Sequence, residues 1–162
     1  MKESNRPLWA PWRIDFIRSE KENYCFLCMN QQKEDDRKNV VFQGKTCFVI
    51  MNRYPYNSGH LLIAPYRHIS DLDLTTAEER SEMMNLTVSV EKTLKKIMNP
   101  DAFNIGFNLG TAAGAGVKDH IHMHIVPRWN GDTNFMPVLA DVRVVPEAIE
   151  ATAELIRNSW IS

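Results

Sequence analysis

Three histidines alternate with apolar residues in Asp119-His120-Ile121-His122-Met123-His124-Ile125-Val126-Pro127. A two-residue period is that of an extended strand, whose successive side chains point to opposite faces. His120, His122 and His124 are therefore expected on one face, about 6.6 Å apart, with Ile121, Met123 and Ile125 turned into a core. The chain has five histidines in all, so three at strict alternation are not what an ordinary solvated surface supplies. Two chemistries use such a row. The imidazoles can serve as ligands, since imidazole suits zinc, copper and iron. Alternatively, one imidazole is a nucleophile or general base and its neighbours handle protons and charge. An ordinary pKa near 6.5 leaves much of it neutral at pH 7.

The surrounding pattern predicts an α+β domain. Asn39–Phe42 and Cys47–Met51 are short β-branched and aromatic runs, with Gly44 and Lys45 between them as a hairpin turn. Leu61–Ala64 reads as a third strand after Pro55, Asn57, Ser58 and Gly59, and Ala102–Phe107 and Ile121–Val126 as two more. Between them Met83, Leu86, Val90, Leu94 and Ile97 recur at spacings of three and four, the face of one long helix. Thr75 or Thr76 can cap its start, Glu78 and Glu79 favour its dipole, and Asn99-Pro100 stops it. A short C-terminal helix is expected through Ile149, Ala153 and Ile156, and residues 29–39 read as a charged surface loop. The sum is an antiparallel sheet of about five strands with one long helix packed on it.

At 162 residues the chain is expected to be a single domain over residues 1–162, beginning with a Trp-rich arm (1–19) that carries Trp9 and Trp12. Nineteen Lys and Arg against 20 Asp and Glu leave a net charge of −1, which argues against wholesale binding of nucleic acid or of an anionic membrane. No apolar run approaches the length of a bilayer span, and the N-terminus has no apolar core of a secretory signal. Three cysteines are odd in number and too few for a disulfide scaffold, so a cytoplasmic location is expected.

The stretch before the histidine strand bears on the choice of chemistry. From Asn104 to Lys118 it holds Gly106, Gly110, Gly114 and Gly116 together with Asn104 and Asn108. Glycines let the backbone approach an anion, and successive exposed N–H groups form a nest for phosphate oxygens, with Lys118 or Arg128 as further donors. Ending on a histidine strand, the loop reads as a phosphate cradle beside a nucleophile.

These residues resemble the histidine triad (HIT) superfamily of nucleotide hydrolases and transferases, whose His-x-His-x-His signature with two following apolar residues is matched from His120 to Val126. Asn52-Arg-Tyr-Pro-Tyr-Asn-Ser-Gly59-His60-Leu-Leu-Ile-Ala-Pro65, with His68 beyond, is similar to the family's nucleotide-binding strand pair. Pro127-Arg128-Trp129 and Gly131-Asp132-Thr-Asn134-Phe135 resemble the bacterial branch often labelled diadenosine tetraphosphate phosphorylase. The resemblance implies that His122 attacks the α-phosphorus to form a covalent nucleotidyl-imidazole. It implies too that His124 contacts the phosphate and helps the leaving group depart, and that Asn52 binds the ribose. Asn108 and the backbone of Gly114, Ala115 and Gly116 would hold phosphate oxygens. From its position alone, Trp129 either covers that loop or lines the nucleotide pocket, or is an ordinary packed tryptophan. Water or inorganic phosphate would release the product, with no catalytic metal. Diadenosine tetraphosphate is the first substrate to expect and adenylated small molecules the next; a homodimer is usual in such a family. The chain departs from the pattern at Ala115 and Gly116, where many members carry Gln and then Ser or Thr. One extra residue also separates Val117 from His120, so backbone amides must do more of the phosphate binding.

Cys25-Phe-Leu-Cys28 is a second constellation. A redox pair would want a βαβ context that is absent nearby, whereas two thiolates at this spacing bind one zinc and need two more ligands. In several bacterial HIT proteins a structural zinc has ligands at the positions that match Cys25, Cys28, His68 and His120. Cys47 reads as a buried core thiol, and His60 as a structural hydrogen-bond partner. Two rival functions remain: a nucleotide-binding module with little turnover, and a metalloenzyme whose ligands are the three histidines of the strand.

Overall fold

A computed structural model describes residues 24–132 and 148–162. The expected Trp-rich arm lies outside the described residues, as do Asn134 and Phe135. In chain order the elements are α1 (Glu34–Lys38), β1 (Val40–Gln43), β2 (Cys47–Met51), β3 (Leu61–Pro65), α2 (Ala77–Met98), β4 (Ala102–Phe107), β5 (Met123–Arg128) and α3 (Ile149–Ser159). The strands form one antiparallel sheet in the order β1-β2-β3-β5-β4, which is the α+β arrangement the periodicities predict.

Alternation along the strands sorts side chains between two faces. Cys47, Val49 and Met51 of β2, Leu61 and Ile63 of β3, and Met123 and Ile125 of β5 share one face with Met83, Val90 and Leu94 of α2 and with Ala153 and Ile156 of α3. Most of these are completely withdrawn from water. Fully burying one such side chain is worth about 1.5–3 kcal/mol, so this face holds the molecule together. Cys47 sits there as expected, its thiol pushed up to about 11 by burial. The opposite face carries a smaller core of Phe48, Ile50, Leu62 and Ala64, covered by Leu27 and its neighbours Cys25, Phe26 and Met29.

Two local expectations need correction. Residues 29–39 are not all loop: Glu34–Lys38 make a helical turn whose Asp36 is buried, because its carboxylate accepts from the Tyr24 hydroxyl at 2.8 Å and from Arg53 at 3.4 Å. The last strand begins at Met123 rather than Ile121 and runs on through Pro127 to Arg128. Before it the chain is tied sideways, the Ile121 amide donating to the Ile69 carbonyl at 2.6 Å, so His120 and His122 precede the ladder.

Candidate active site and metal centre

His124 is the one triad histidine inside the ladder, opposite Leu62 of β3 and Gly106 of β4. Its ring lies 4.9 Å from that of His122. His120 is engaged separately, its ring packed edge-on against His68 at 5.1 Å. The row of three therefore divides into a pair, His122 and His124, and a single residue committed elsewhere.

Hydrogen bonds assign the protons. The His122 Nδ1 lies 2.8 Å from the His120 carbonyl oxygen, which can only accept, so Nδ1 carries the hydrogen and Nε2 keeps its lone pair. Burial lowers the His122 pKa further, which keeps that lone pair available. His124 is set by His60, a completely buried residue at the start of β3. The Tyr56 amide donates to His60 Nδ1 at 3.0 Å, and Asn52 Nδ2 donates to it at 3.2 Å. His60 Nε2 therefore holds the hydrogen and gives it to His124 Nδ1 at 3.0 Å. That leaves His124 with its own N–H on Nε2, 3.5 Å from the Asn108 side-chain amide, whose oxygen and nitrogen exchange by a flip to present the acceptor there. Burial, with His122 as a second influence, pushes His124 down to about 4, so it too is neutral at pH 7. The pair is a bare nucleophilic nitrogen beside a neutral N–H donor.

The other expected contacts are placed unevenly. Asn52 borders the site through His60, and its carbonyl oxygen accepts the Tyr54 amide at 3.0 Å. The glycine-rich loop leaves Asn108 beside His124 and returns to His120, yet two of its amides are spent internally. Gly114 donates to the Thr111 carbonyl at 3.0 Å and Ala115 to the Gly110 carbonyl at 3.2 Å; Gly116 is exposed. Trp129 is not brought to the pair. Strand alternation turns it to the helix side, where its indole N–H donates to the Met98 and Asn99 carbonyls at the end of α2. Arg128 is likewise committed, gripping both carboxylate oxygens of Asp132 and the Asn104 side chain. The sequence pattern understates His60, whose link to His124 depends on a turn amide that no motif advertises.

His120 joins the second constellation. One ligand atom from each of Cys25, Cys28, His68 and His120 lies within 4.8 Å of every other. Among the described residues this is the His, Cys and acid cluster able to hold an ion, and it excludes His122 and His124, so the reading of three strand histidines as one ligand set fails. The donor set fits a tetrahedral ion. Metal–sulfur bonds of about 2.3 Å and metal–nitrogen bonds of about 2.05 Å place sulfur and nitrogen about 3.6 Å apart. The His120 Nδ1 is 3.5 Å from Cys25 Sγ and 3.6 Å from Cys28 Sγ, and His68 Nδ1 is 3.1 Å from Cys28 Sγ. His120 Nε2 donates to the Pro65 carbonyl at 2.9 Å, which turns the Nδ1 lone pair toward the sulfurs. Burial holds His120 near 4, neutral and able to ligate, and pushes the Cys25 thiol up to about 11. A bound cation is what makes such a thiol a thiolate.

Comparison with known proteins follows the same division. The sequence profile of the HIT domain matches residues 33–131. The chain is 35% identical to a Mycobacterium tuberculosis protein named AP-4-A phosphorylase, covering 94% of this chain and 83% of that one. It is 31% identical to the Schizosaccharomyces pombe asymmetrical bis(5′-nucleosyl)-tetraphosphatase over 57% of this chain and 50% of that one. Its fold superposes with a TM-score of 0.61 on a zinc-bound histidine triad protein of Mycobacterium smegmatis, at 26% identity and covering 74% and 81% of the two chains. Profile, identity and fold agree with the paired imidazoles at the entry to β5: the chain belongs to the HIT domain family.

Proposed function

We propose that the chain is a nucleotidyl transferase or hydrolase that cleaves nucleotide phosphoanhydrides, with diadenosine tetraphosphate as substrate, through a covalent intermediate on His122. The proton assignment supports this reading: His122 presents a lone pair on Nε2 while His124 presents an N–H beside it. His122 Nε2 attacks the α-phosphorus in line. The new P–N bond forms as the anhydride P–O bond breaks, and the His124 Nε2–H supports the departing polyphosphate oxygen. Inorganic phosphate or water then attacks phosphorus, the P–N bond breaks, and His122 is restored. Two easier displacements replace one hard one, and fixed donors meet the charge that develops. Asn52 would bind the ribose; Asn108 and the backbone from Gly114 to Gly116 would hold phosphate.

The relatives named for diadenosine polyphosphate chemistry support the substrate class, and the identity to the phosphorylase favours phosphate as acceptor. Cys25, Cys28, His68 and His120 would hold one structural zinc, as their spacing and a zinc-bound relative suggest. The protein would act as a homodimer in the cytoplasm; β4 lies at a sheet edge with Ile105 exposed, a surface suited to pairing. Among the described residues no helix is long and apolar enough to cross a membrane.

Product analysis tests the reaction. With diadenosine tetraphosphate and inorganic phosphate, ATP and ADP are expected; AMP formed without phosphate would make the enzyme a hydrolase. His122→Asn should retain nucleotide binding and lose at least about a thousandfold in kcat, with no acid-labile nucleotidyl-protein formed. Unchanged turnover in that variant would overturn the covalent scheme.

A further inference from the structure

We infer that Asn57 and Asp132 form a clamp that keeps the His124 hydrogen on Nε2, which makes both of them positioning residues. The inference rests on the proposed reaction for its effect on rate, and on hydrogen bonds alone for the placement of the hydrogen. Two distant stretches, Asn57 to His60 and Arg128 to Asp132, meet at this point. The Asn57 side chain has one orientation that satisfies its neighbours. Its Nδ2 donates to the Asp132 carboxylate at 2.8 Å and to the Pro127 carbonyl at 3.2 Å, and its Oδ1 accepts the Ser58 amide at 3.2 Å. The Asn57 carbonyl accepts the His60 amide at 3.2 Å. Asn57 therefore closes the turn from Asn52 to His60 and ties it to the end of β5.

Asp132 is the fixed end of the clamp. Its side chain is only 9% exposed, so protein donors stand in for water. Oδ2 accepts from Asn57, from Arg128 Nε at 2.6 Å and from the Trp129 amide at 3.1 Å, and Oδ1 accepts a second Arg128 N–H at 2.9 Å. The same guanidinium reaches Asn104 of β4 at 2.8 Å, and the Trp129 indole N–H bonds the end of α2. The turn thus hangs on a point braced by β4, β5 and α2. What the turn presents is the Tyr56 N–H, whose bond to His60 Nδ1 leaves His60 to donate from Nε2 to His124. A backbone amide cannot exchange donor for acceptor. The Asn52 side chain beside it can turn over once the Tyr54 amide releases its oxygen. With the clamp broken, His60 is free to carry its hydrogen on Nδ1. His124 then donates to His60 from its own Nδ1, and its Nε2 has no hydrogen for the departing oxygen.

Nitrogen-15 NMR of the full chain labelled at histidine reads the tautomers directly, because ring nitrogens with and without hydrogen resonate far apart. In the wild type, His60 and His124 should both carry hydrogen on Nε2. In Asn57→Ala, and in Asp132→Asn, which offers one oxygen to donors that now use two, both rings should shift toward the Nδ1–H form. A wild-type His124 with its hydrogen on Nδ1, or unchanged tautomers in variants with wild-type circular dichroism, would overturn the clamp. Turnover of diadenosine tetraphosphate checks the consequence. Each variant should lose about fivefold or more in kcat with KM changed less than about threefold. In a His60→Ala background the same substitutions should cost less than about twofold, since the residue they act through is gone. Losses that multiply instead would make the pair merely structural and overturn the inference. Shifted tautomers with unchanged kcat would uphold the clamp and remove the proposed role of the His124 hydrogen, so the two readings fail separately.

Discussion

A backbone amide decides which nitrogen of His124 carries a proton. The Tyr56 N–H occupies His60 Nδ1, His60 must then donate from Nε2, and His124 is left with its hydrogen on Nε2, the nitrogen that the proposed reaction turns toward substrate. His60 is thus a positioning residue, and its removal should affect the chemical step more than binding. His60→Ala is expected to reduce kcat about ten- to hundredfold, part of what a well-placed proton donor contributes, with KM changed less than threefold. Steady-state kinetics on a variant with wild-type circular dichroism check this; a change confined to KM would remove His60 from the proton path. Its neighbour Gly59 is constrained differently. It sits at φ +73°, and a Cβ there would lie 2.8 Å from the Met98 sulfur. Gly59→Ala should cost about 1–3 kcal/mol in a urea titration, since a left-handed backbone and a close contact are both disturbed. At this scale the sequence is a partial guide. Alternation singles out His120, His122 and His124 but does not divide them, because the division depends on where Cys25, Cys28 and the Pro65 carbonyl lie in space.

The long helix α2 is legible in the sequence because its signals agree. A stripe of apolar residues runs along it, Thr76 caps it with Glu79 completing a capping box, and Asn99 ends it in a left-handed conformation. The strands are legible for a similar reason, within two residues of their observed ends. Helix α1 is not, since five charged and polar residues carry no apolar period; what makes Asp36 buried is a tyrosine and an arginine from other segments. Glu79 links cap to sheet: its carboxylate takes two bonds of 2.7 Å from Arg67, just after β3, and the Thr76 amide at 2.8 Å. The Arg67 guanidinium holds its pKa down at about 2, against an ordinary value of 4.5. A depressed carboxylate contributes stability that is complete above about pH 4.5 and disappears as the pH falls through 2. Glu79→Gln should therefore lower the melting temperature at pH 7, and the gap from wild type should narrow steadily below pH 4.5. Melting curves between pH 7 and 2.5 decide it, and a constant gap would show that the ion pair contributes nothing pH-dependent.

At the scale of the whole molecule, the Cys25, Cys28, His68 and His120 cluster gathers three segments at one point: the chain before α1, the residue three past β3 and the entry to β5. The same loop lays Leu27 over the smaller core, completely buried. His120 belongs to both devices, because its ring faces the sulfurs while its carbonyl fixes His122. A cation bound only by the folded chain stabilises it by mass action, about 4 kcal/mol when its concentration is a thousand times the dissociation constant. Removing the ion should then lower the melting temperature through the loss of one shared anchor. We expect a strong chelator to reduce it by several degrees and zinc to restore it. Cys25→Ser should melt at the chelated value and respond to neither. His122→Asn should keep the full metal content, since Nε2 of His122 belongs to the other device. Metal analysis beside the melting curves separates the cases. Metal that follows His122 and ignores Cys25 would dissolve the distinction between anchor and proposed nucleophile, whereas metal that follows Cys25 and ignores His122 keeps the two devices separate, with the His120 ring in one and the His122 ring in the other.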